Sequence, residues 1–153
     1  MTPDDYTAFL HRNMPLTEAM GLRVLDAATG RIRLSAPLTP NRNLHGTAFG
    51  GSLAALGIVA GWAVLHRGLA EANVAASLVV HRSELEYRKP ATTELIADCA
   101  LPAADWPAFL ATLREGRRAR IAVATDVSAG GVQVLRVDAQ YVALPGADAG
   151  GAT

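Results

Sequence analysis

The sequence predicts an α+β domain in which an antiparallel sheet wraps around one long central helix, and three observations carry that expectation. From Phe49 to Leu65 no residue is charged, so a helix there has no polar face to offer water and is expected to be buried on all sides. The flanking chain alternates apolar and polar residues between Gly, Pro, Asn and Asp breaks, the pattern of half-buried strands joined by hairpins. The other helical segments are short, which leaves the strands to cover the helix.

The elements follow in order. Thr2-Pro3-Asp4-Asp5 is a helix start: a capping residue, proline at the first helical position, and acids in the first turn. Tyr6, Phe9 and Leu10 form its apolar stripe, and Met14-Pro15 ends it. A second short turn runs over 16–20 and stops at Gly21. Strands are expected over 22–27 and 31–37, with Thr29-Gly30 in the turn between them. The long helix follows and ends near Leu69. A long strand over 75–88 is expected to place His81, Ser83, Leu85 and Tyr87 on one face, toward the helix, and Arg82, Glu84, Glu86 and Arg88 on the other. Pro90 breaks it, and a strand over 94–101 follows. Asp105 is expected to cap a short helix in which Trp106, Phe109, Leu110 and Leu113 share a side. The last hairpin, 118–128 with 132–142, turns at Gly130-Gly131. Such an arrangement, six strands curled around one apolar helix, is the layout of a hot-dog fold.

At 153 residues the chain fits one domain, expected over 1–144. The Gly/Ala-rich residues 145–153 are expected to be a disordered tail. A formal net charge of zero favours neither nucleic acid nor an anionic membrane surface. The chain opens without a signal-peptide pattern. The uncharged run is shorter than the roughly 20 residues that span a bilayer and ends in His66-Arg67, so no membrane association is expected. The single cysteine, Cys99, excludes an internal disulfide, and a cytoplasmic location is expected. Its alternation with Leu95, Ala97 and Leu101 makes it a core residue. The four histidines lack metal-ligand spacing, so no metal is expected.

The segment carrying chemistry is Asn41-Arg42-Asn43-Leu44-His45-Gly46-Thr47-Ala48-Phe49-Gly50-Gly51-Ser52-Leu53. A polar loop enters an apolar helix through a glycine pair, aiming backbone N–H groups and the positive end of a helix dipole at one spot. That suits an oxyanion or a thioester carbonyl. Asn43 is a candidate oxyanion donor, or else it bonds its own backbone and holds the loop. His45 is a candidate base or donor, or else a solvent-facing brace. Gly50 and Gly51 would let substrate approach the backbone closely. Thr47 and Ser52 suit either substrate contact or capping of the helix. His81 and Ser83 read as a buried histidine satisfied by its neighbour, with a substrate-side role as the alternative. Arg117, Arg118 and Arg120 could meet phosphates of coenzyme A or an acidic carrier surface, or form a solvated strand end. The loop is neither a Walker loop nor a dinucleotide fingerprint.

The segment Asn43 to Leu53, with Ala60-Gly61-Trp62, Val80 to Pro90 and Gly116 to Arg120, resembles a bacterial hot-dog family known as putative thioesterases. That family also occurs carboxy-terminal to GNAT-type acetyltransferases, and some relatives are malonyl-acyl-carrier-protein decarboxylases. The resemblance implies an enzyme of acyl thioesters of coenzyme A or acyl carrier protein. It also implies a homodimer or dimer of dimers with the site shared between subunits, and no cofactor beyond the substrate's own coenzyme A or phosphopantetheine. Hydrolytic members carry an Asp or Glu about two turns into the central helix. Here those positions are Gly57 and Ile58, and no acid precedes Glu71. Hydrolysis, with His45 activating water, stands first. Decarboxylation of a malonyl thioester follows closely, since it needs an enolate-stabilising site and no base. A non-catalytic acyl-coenzyme-A-binding module is the third reading.

Overall fold

The computed structural model describes residues 1–146. The chain runs α1 (Pro3–Asn13), α2 (Pro15–Ala19), β1 (Arg23–Asp26), β2 (Arg31–Ala36), a 3-10 turn (Thr39–Asn41) and α3 (Gly50–Glu71). It continues through β3 (Ala76–Tyr87), β4 (Leu95–Ala100), α4 (Trp106–Arg114), β5 (Ala119–Ala129) and β6 (Val132–Pro145). The six strands form one antiparallel sheet in the order β1-β2-β4-β5-β6-β3, wrapped around α3. This is the hot-dog fold.

Local chemistry sets the element ends. At α1 the Thr2 hydroxyl accepts from Asp5 N–H (3.1 Å) while the Asp5 carboxylate accepts from Thr2 N–H (2.9 Å), a reciprocal box that satisfies two N–H groups at the helix start. Gly130 and Gly131 both take positive φ (58° and 76°), as a two-residue hairpin turn with the sheet's twist demands. β6 carries the sheet through Pro145, opposite Ala76, and Gly146 N–H bonds Ala75 O. Residues 145 and 146 of the expected tail therefore belong to the sheet's edge, and 147–153 lie outside the described residues. Asp105 stands at the cap position of α4 but, contrary to expectation, makes no side-chain capping bond, its backbone being already helical (φ −94°, ψ −19°).

α3 lies against the sheet closely enough that only glycine fits at positions 57 and 61. A Cβ at Gly57 would stand 2.6 Å from Val137 Cγ2, and one at Gly61 would collide with the Tyr141 hydroxyl, which itself donates to Ile58 O (2.7 Å). By length and composition α3 is apolar enough to cross a membrane, yet it serves as the core helix of this α+β fold.

Two expectations are corrected here. α3 is not buried on all sides: the sheet covers one side only, and Ala54, Ala55, Ile58, Val59 and Trp62 remain half-exposed in the single chain. α1 shields the later turns, where Phe9 and Trp62 stack with the His66 ring at 5.1 and 4.6 Å and the Tyr6 hydroxyl meets His66 Nδ1 at 3.0 Å. His81, in turn, does not share the helix-facing side with Ser83. Val80 pairs with Tyr141 and Arg82 with Gln140, so His81 is the extra residue of a β-bulge. The bulge reverses the alternation, leaving His81 exposed among outer-face residues while Ser83, Leu85 and Tyr87 turn inward.

Candidate functional site

The loop before α3 is built around Asn43. Its Oδ1 accepts from the N–H groups of His45 (2.9 Å) and Thr47 (3.2 Å), and its Nδ2 donates to Thr47 Oγ1 (2.8 Å). Its backbone N–H bonds Thr47 O (2.7 Å), and its O accepts from Gly46 N–H, where φ is +79°. The loop thus closes on one side chain, which keeps a single amide hydrogen unused. This tight turn thrusts Leu44 (91 % exposed) and the exposed His45 outward at its tip.

Asn41 is the anchor beneath. Fully buried, it donates from Nδ2 to Met20 O (2.8 Å) and Pro37 O (2.7 Å), and its backbone O accepts Phe49 N–H (2.7 Å). Ala48 N–H bonds Ala91 O (2.8 Å), which ties the loop to the segment after β3. The sequence alone gives no role to Asn41; its place in a Pro-Asn turn is the one available signal.

The start of α3 is open. Its cap residue is Phe49, which has extended backbone (φ −65°, ψ 132°) and no capping side chain. Phe49 N–H is spent on Asn41, so the N–H groups of Gly50, Gly51 and Ser52 have no partner within the helix. Neither Thr47 nor Ser52 caps it, contrary to one expectation: Thr47 is engaged by Asn43, and Ser52 already sits inside the first turn. Two aromatic rings frame the opening. Tyr87 donates its hydroxyl to Gly50 O (2.9 Å) and lies 3.4 Å from where a Cβ of Gly50 would stand; the Phe49 ring occupies the space a Cβ of Gly51 would take. Both rings are more than half exposed.

Asn43, Thr47, Gly50, Gly51 and Ser52 therefore lie together at one end of α3, with His45 exposed at the tip of the same loop. Arg117, Arg118 and Arg120 do not join them. Tyr87 pairs with Leu135, and Arg120 pairs with Val142, seven positions further along β6, or about 23 Å at the usual strand rise. Arg117 is held by Glu115 (Nε to Oε2, 3.0 Å). Ser83 is half-buried on the helix side of the edge strand. Cys99 is core: burial pushes its thiol up to about 11, which keeps it protonated and unreactive at neutral pH.

Neither helix position 57 nor 58 holds an acid, and only position 58 has room for one. Gly57 abuts Val137 in the sheet, and Ile58 looks to the open side as a hydrocarbon. Among the described residues, neither the loop nor the first five turns of α3 carries a carboxylate before Glu71.

A family model described as putative thioesterase (the yiiD carboxy-terminal domain) matches residues 4–145. Among solved structures, a putative thioesterase from Shewanella oneidensis is similar at 26% identity and a TM-score of 0.85, over 94% of this chain and 97% of that one. A Chlorobaculum tepidum protein of unknown function is similar at 26% identity and a TM-score of 0.87, over 95% and 98%. A Haemophilus influenzae thioesterase at 12% identity and a TM-score of 0.75, covering 95% and 92%, shares the fold.

Proposed function

Because the chain belongs to this putative thioesterase family, we propose that it processes acyl thioesters at the amino-terminal end of α3. The observation that carries the reading is the uncapped helix start, whose N–H groups at Gly50 and Gly51 point beside a loop fixed by Asn43. A thioester carbonyl seated there gains two backbone donors, with the helix dipole and the remaining Asn43 amide hydrogen behind them. These donors are fixed before substrate arrives, so they stabilise developing charge without reorganisation.

In hydrolysis, water adds to the carbonyl carbon and the oxygen takes the negative charge at the donors. The carbon–sulfur bond then breaks, releasing acid and thiol. His45, exposed at the loop tip, is the group available to take the proton from water. A second reading is favoured by the acid-free helix. In a malonyl thioester the terminal carbon–carbon bond breaks, carbon dioxide leaves, and its electron pair forms an enolate whose oxygen sits at the same donors. Protonation at carbon gives the acetyl thioester. That reaction needs no water activator.

The acyl group is carried by coenzyme A or by an acyl carrier protein, and no further cofactor is needed. The working form is a homodimer in the cytoplasm. Support for the dimer comes from β3, an edge strand 12 residues long, which adjoins the half-exposed apolar stripe of α3 and the exposed Val79, Val80 and Tyr87. Unpaired strand edges and exposed apolar faces of this kind are normally covered.

The reactions separate cleanly by mass spectrometry of the pure protein incubated with malonyl-coenzyme A, malonyl-carrier-protein and saturated acyl thioesters. Free thiol is the expected product if hydrolysis operates. An intact acetyl thioester from the malonyl substrates would assign decarboxylation instead, and no change in any substrate would overturn both.

A further inference from the structure

The hydroxyl of Tyr87 ends on the first peptide of α3. It donates to Gly50 O at 2.9 Å, and the N–H of that same peptide belongs to Gly51, one of the donors with no partner in the helix. A trans peptide carries its C=O and N–H on opposite edges. The hydroxyl therefore engages this peptide from one edge and leaves the other to a substrate oxygen.

Two features hold the ring there. Tyr87 is the last residue of β3, pinned to β6 by its pairing with Leu135 and by the bond from Arg88 N–H to Val134 O (2.9 Å). Its inward direction depends on the His81 bulge. Val80 pairs with the fully buried Tyr141 and so takes the helix side of the strand. Unbroken alternation from Val80 would send Arg82, Glu84 and Glu86 inward and Tyr87 outward. One inserted residue returns Ser83, Leu85 and Tyr87 to the helix side, and bulges beside active sites re-aim side chains in this way. The hydroxyl's bond is worth little to folding, because Tyr87 is more than half exposed and water would serve it about as well.

We propose that Tyr87 is a positioning residue for the chemistry at the helix end: by donating to Gly50 O it fixes and polarises the Gly50–Gly51 peptide, which strengthens the Gly51 N–H toward an oxyanion. The inference rests on the acyl-thioester reading above. Hydrogen bonds joined through one polarisable group reinforce each other, because charge drawn onto the carbonyl oxygen leaves the amide hydrogen more positive. One oxyanion donor is worth ~10²–10³ in rate, and such reinforcement is about 10–30 % per bond. Scaling the exponent by that fraction puts the contribution of the hydroxyl at about two- to eightfold.

Tyr87→Phe tests it, since the change deletes the hydroxyl and keeps the ring. On whichever malonyl or saturated acyl thioester the wild type turns over fastest, kcat should fall about two- to eightfold with KM unchanged, because the donor matters most when the oxygen carries charge. The melting temperature should not move. In amide nuclear magnetic resonance of the full chain without substrate, the Gly51 N–H should shift, because it shares its peptide with the carbonyl that loses the bond. A kcat equal to that of the wild type would overturn the proposal, and so would a raised KM with kcat intact, which would put the hydroxyl on the bound substrate itself. A kcat loss with the Gly51 amide unmoved, or one matched by a lower melting temperature, would reduce Tyr87 to a structural brace and overturn it as well. Each of these results leaves the helix-end reading standing. A wild type inert toward every thioester would defeat that reading, and the role of Tyr87 with it.

Discussion

The two sides of α3 are built from the same residue types and do different work. Toward the sheet, Gly57, Gly61 and Gly68 are buried where side chains from the strands and Trp106 leave no room for a Cβ. On the opposite side, Ala54, Ala55, Ile58 and Val59 are half-exposed, and at the amino-terminal end Gly50 and Gly51 present N–H groups with no partner in the helix beside two exposed aromatic rings. Glycine on the first side is a packing requirement. At the helix end it keeps the backbone accessible. An apolar helix in a small domain need not be a helix surrounded by its own chain; it can be half core and half surface held for a substrate or a second copy.

The sharpest way to break this comparison is to remove one donor at the helix end without touching the core. Gly50 is the first helical residue, follows an extended Phe49, and its N–H has no intrahelical partner. Proline suits the backbone there, and its Cβ would meet the Tyr87 ring at an ordinary contact distance of 3.4 Å. Gly50→Pro should fold as the wild type does yet lose about 10²–10³ in kcat on whichever thioester the protein accepts, the usual cost of one oxyanion donor. Steady-state kinetics with a thermal melt checks it. Full activity would remove the helix end from the mechanism.

Matched glycine-to-alanine changes sharpen it next. At Gly57 the new methyl meets Val137 Cγ2, a side chain fixed in the core, so Gly57→Ala should cost about 1–3 kcal/mol by overpacking despite the better helix propensity of alanine. At Gly51 the methyl meets only the Phe49 ring, which is 56% exposed and free to swing, so Gly51→Ala should stay within about 0.5 kcal/mol of wild type. Urea denaturation of both variants decides it; equal losses would mean that the two sides are packed alike.

Most of the fold was legible because the signals were local. The capping pattern at Thr2, the glycine pair at 130–131 and the uncharged run after Phe49 each fix an element by short-range physics. What escaped depends on one residue or on distant partners. A single bulged residue moved His81 to the outer face, since the two-residue period carries no memory across an insertion. Asn41 and Asn43 look alike in sequence, yet one is buried against Met20 and Pro37 while the other closes the loop on itself. The loop and helix start were found together because they are contiguous in the chain. The distance between that site and Arg120 is a property of the sheet register, which composition and spacing do not contain.

The smallest expected effect concerns the open side alone. Ile58 is half-exposed, one turn from Ala54 and Trp62, and its backbone O accepts the Tyr141 hydroxyl, so its side chain can change without unseating the helix. Ile58→Glu should cost the monomer no more than about 1 kcal/mol, because only part of the Ile58 side chain packs against the core. If a second copy covers this stripe, the same carboxylate must be desolvated on association. Dimer dissociation should then rise about tenfold, an effect of ~1.4 kcal/mol, readable by sedimentation across a concentration series. A carboxylate at 58 would also restore an acid to the open side of the helix, so turnover should be measured on the same sample. Unchanged assembly would show that the stripe faces solvent in the working protein, and that its apolar character serves the acyl chain instead.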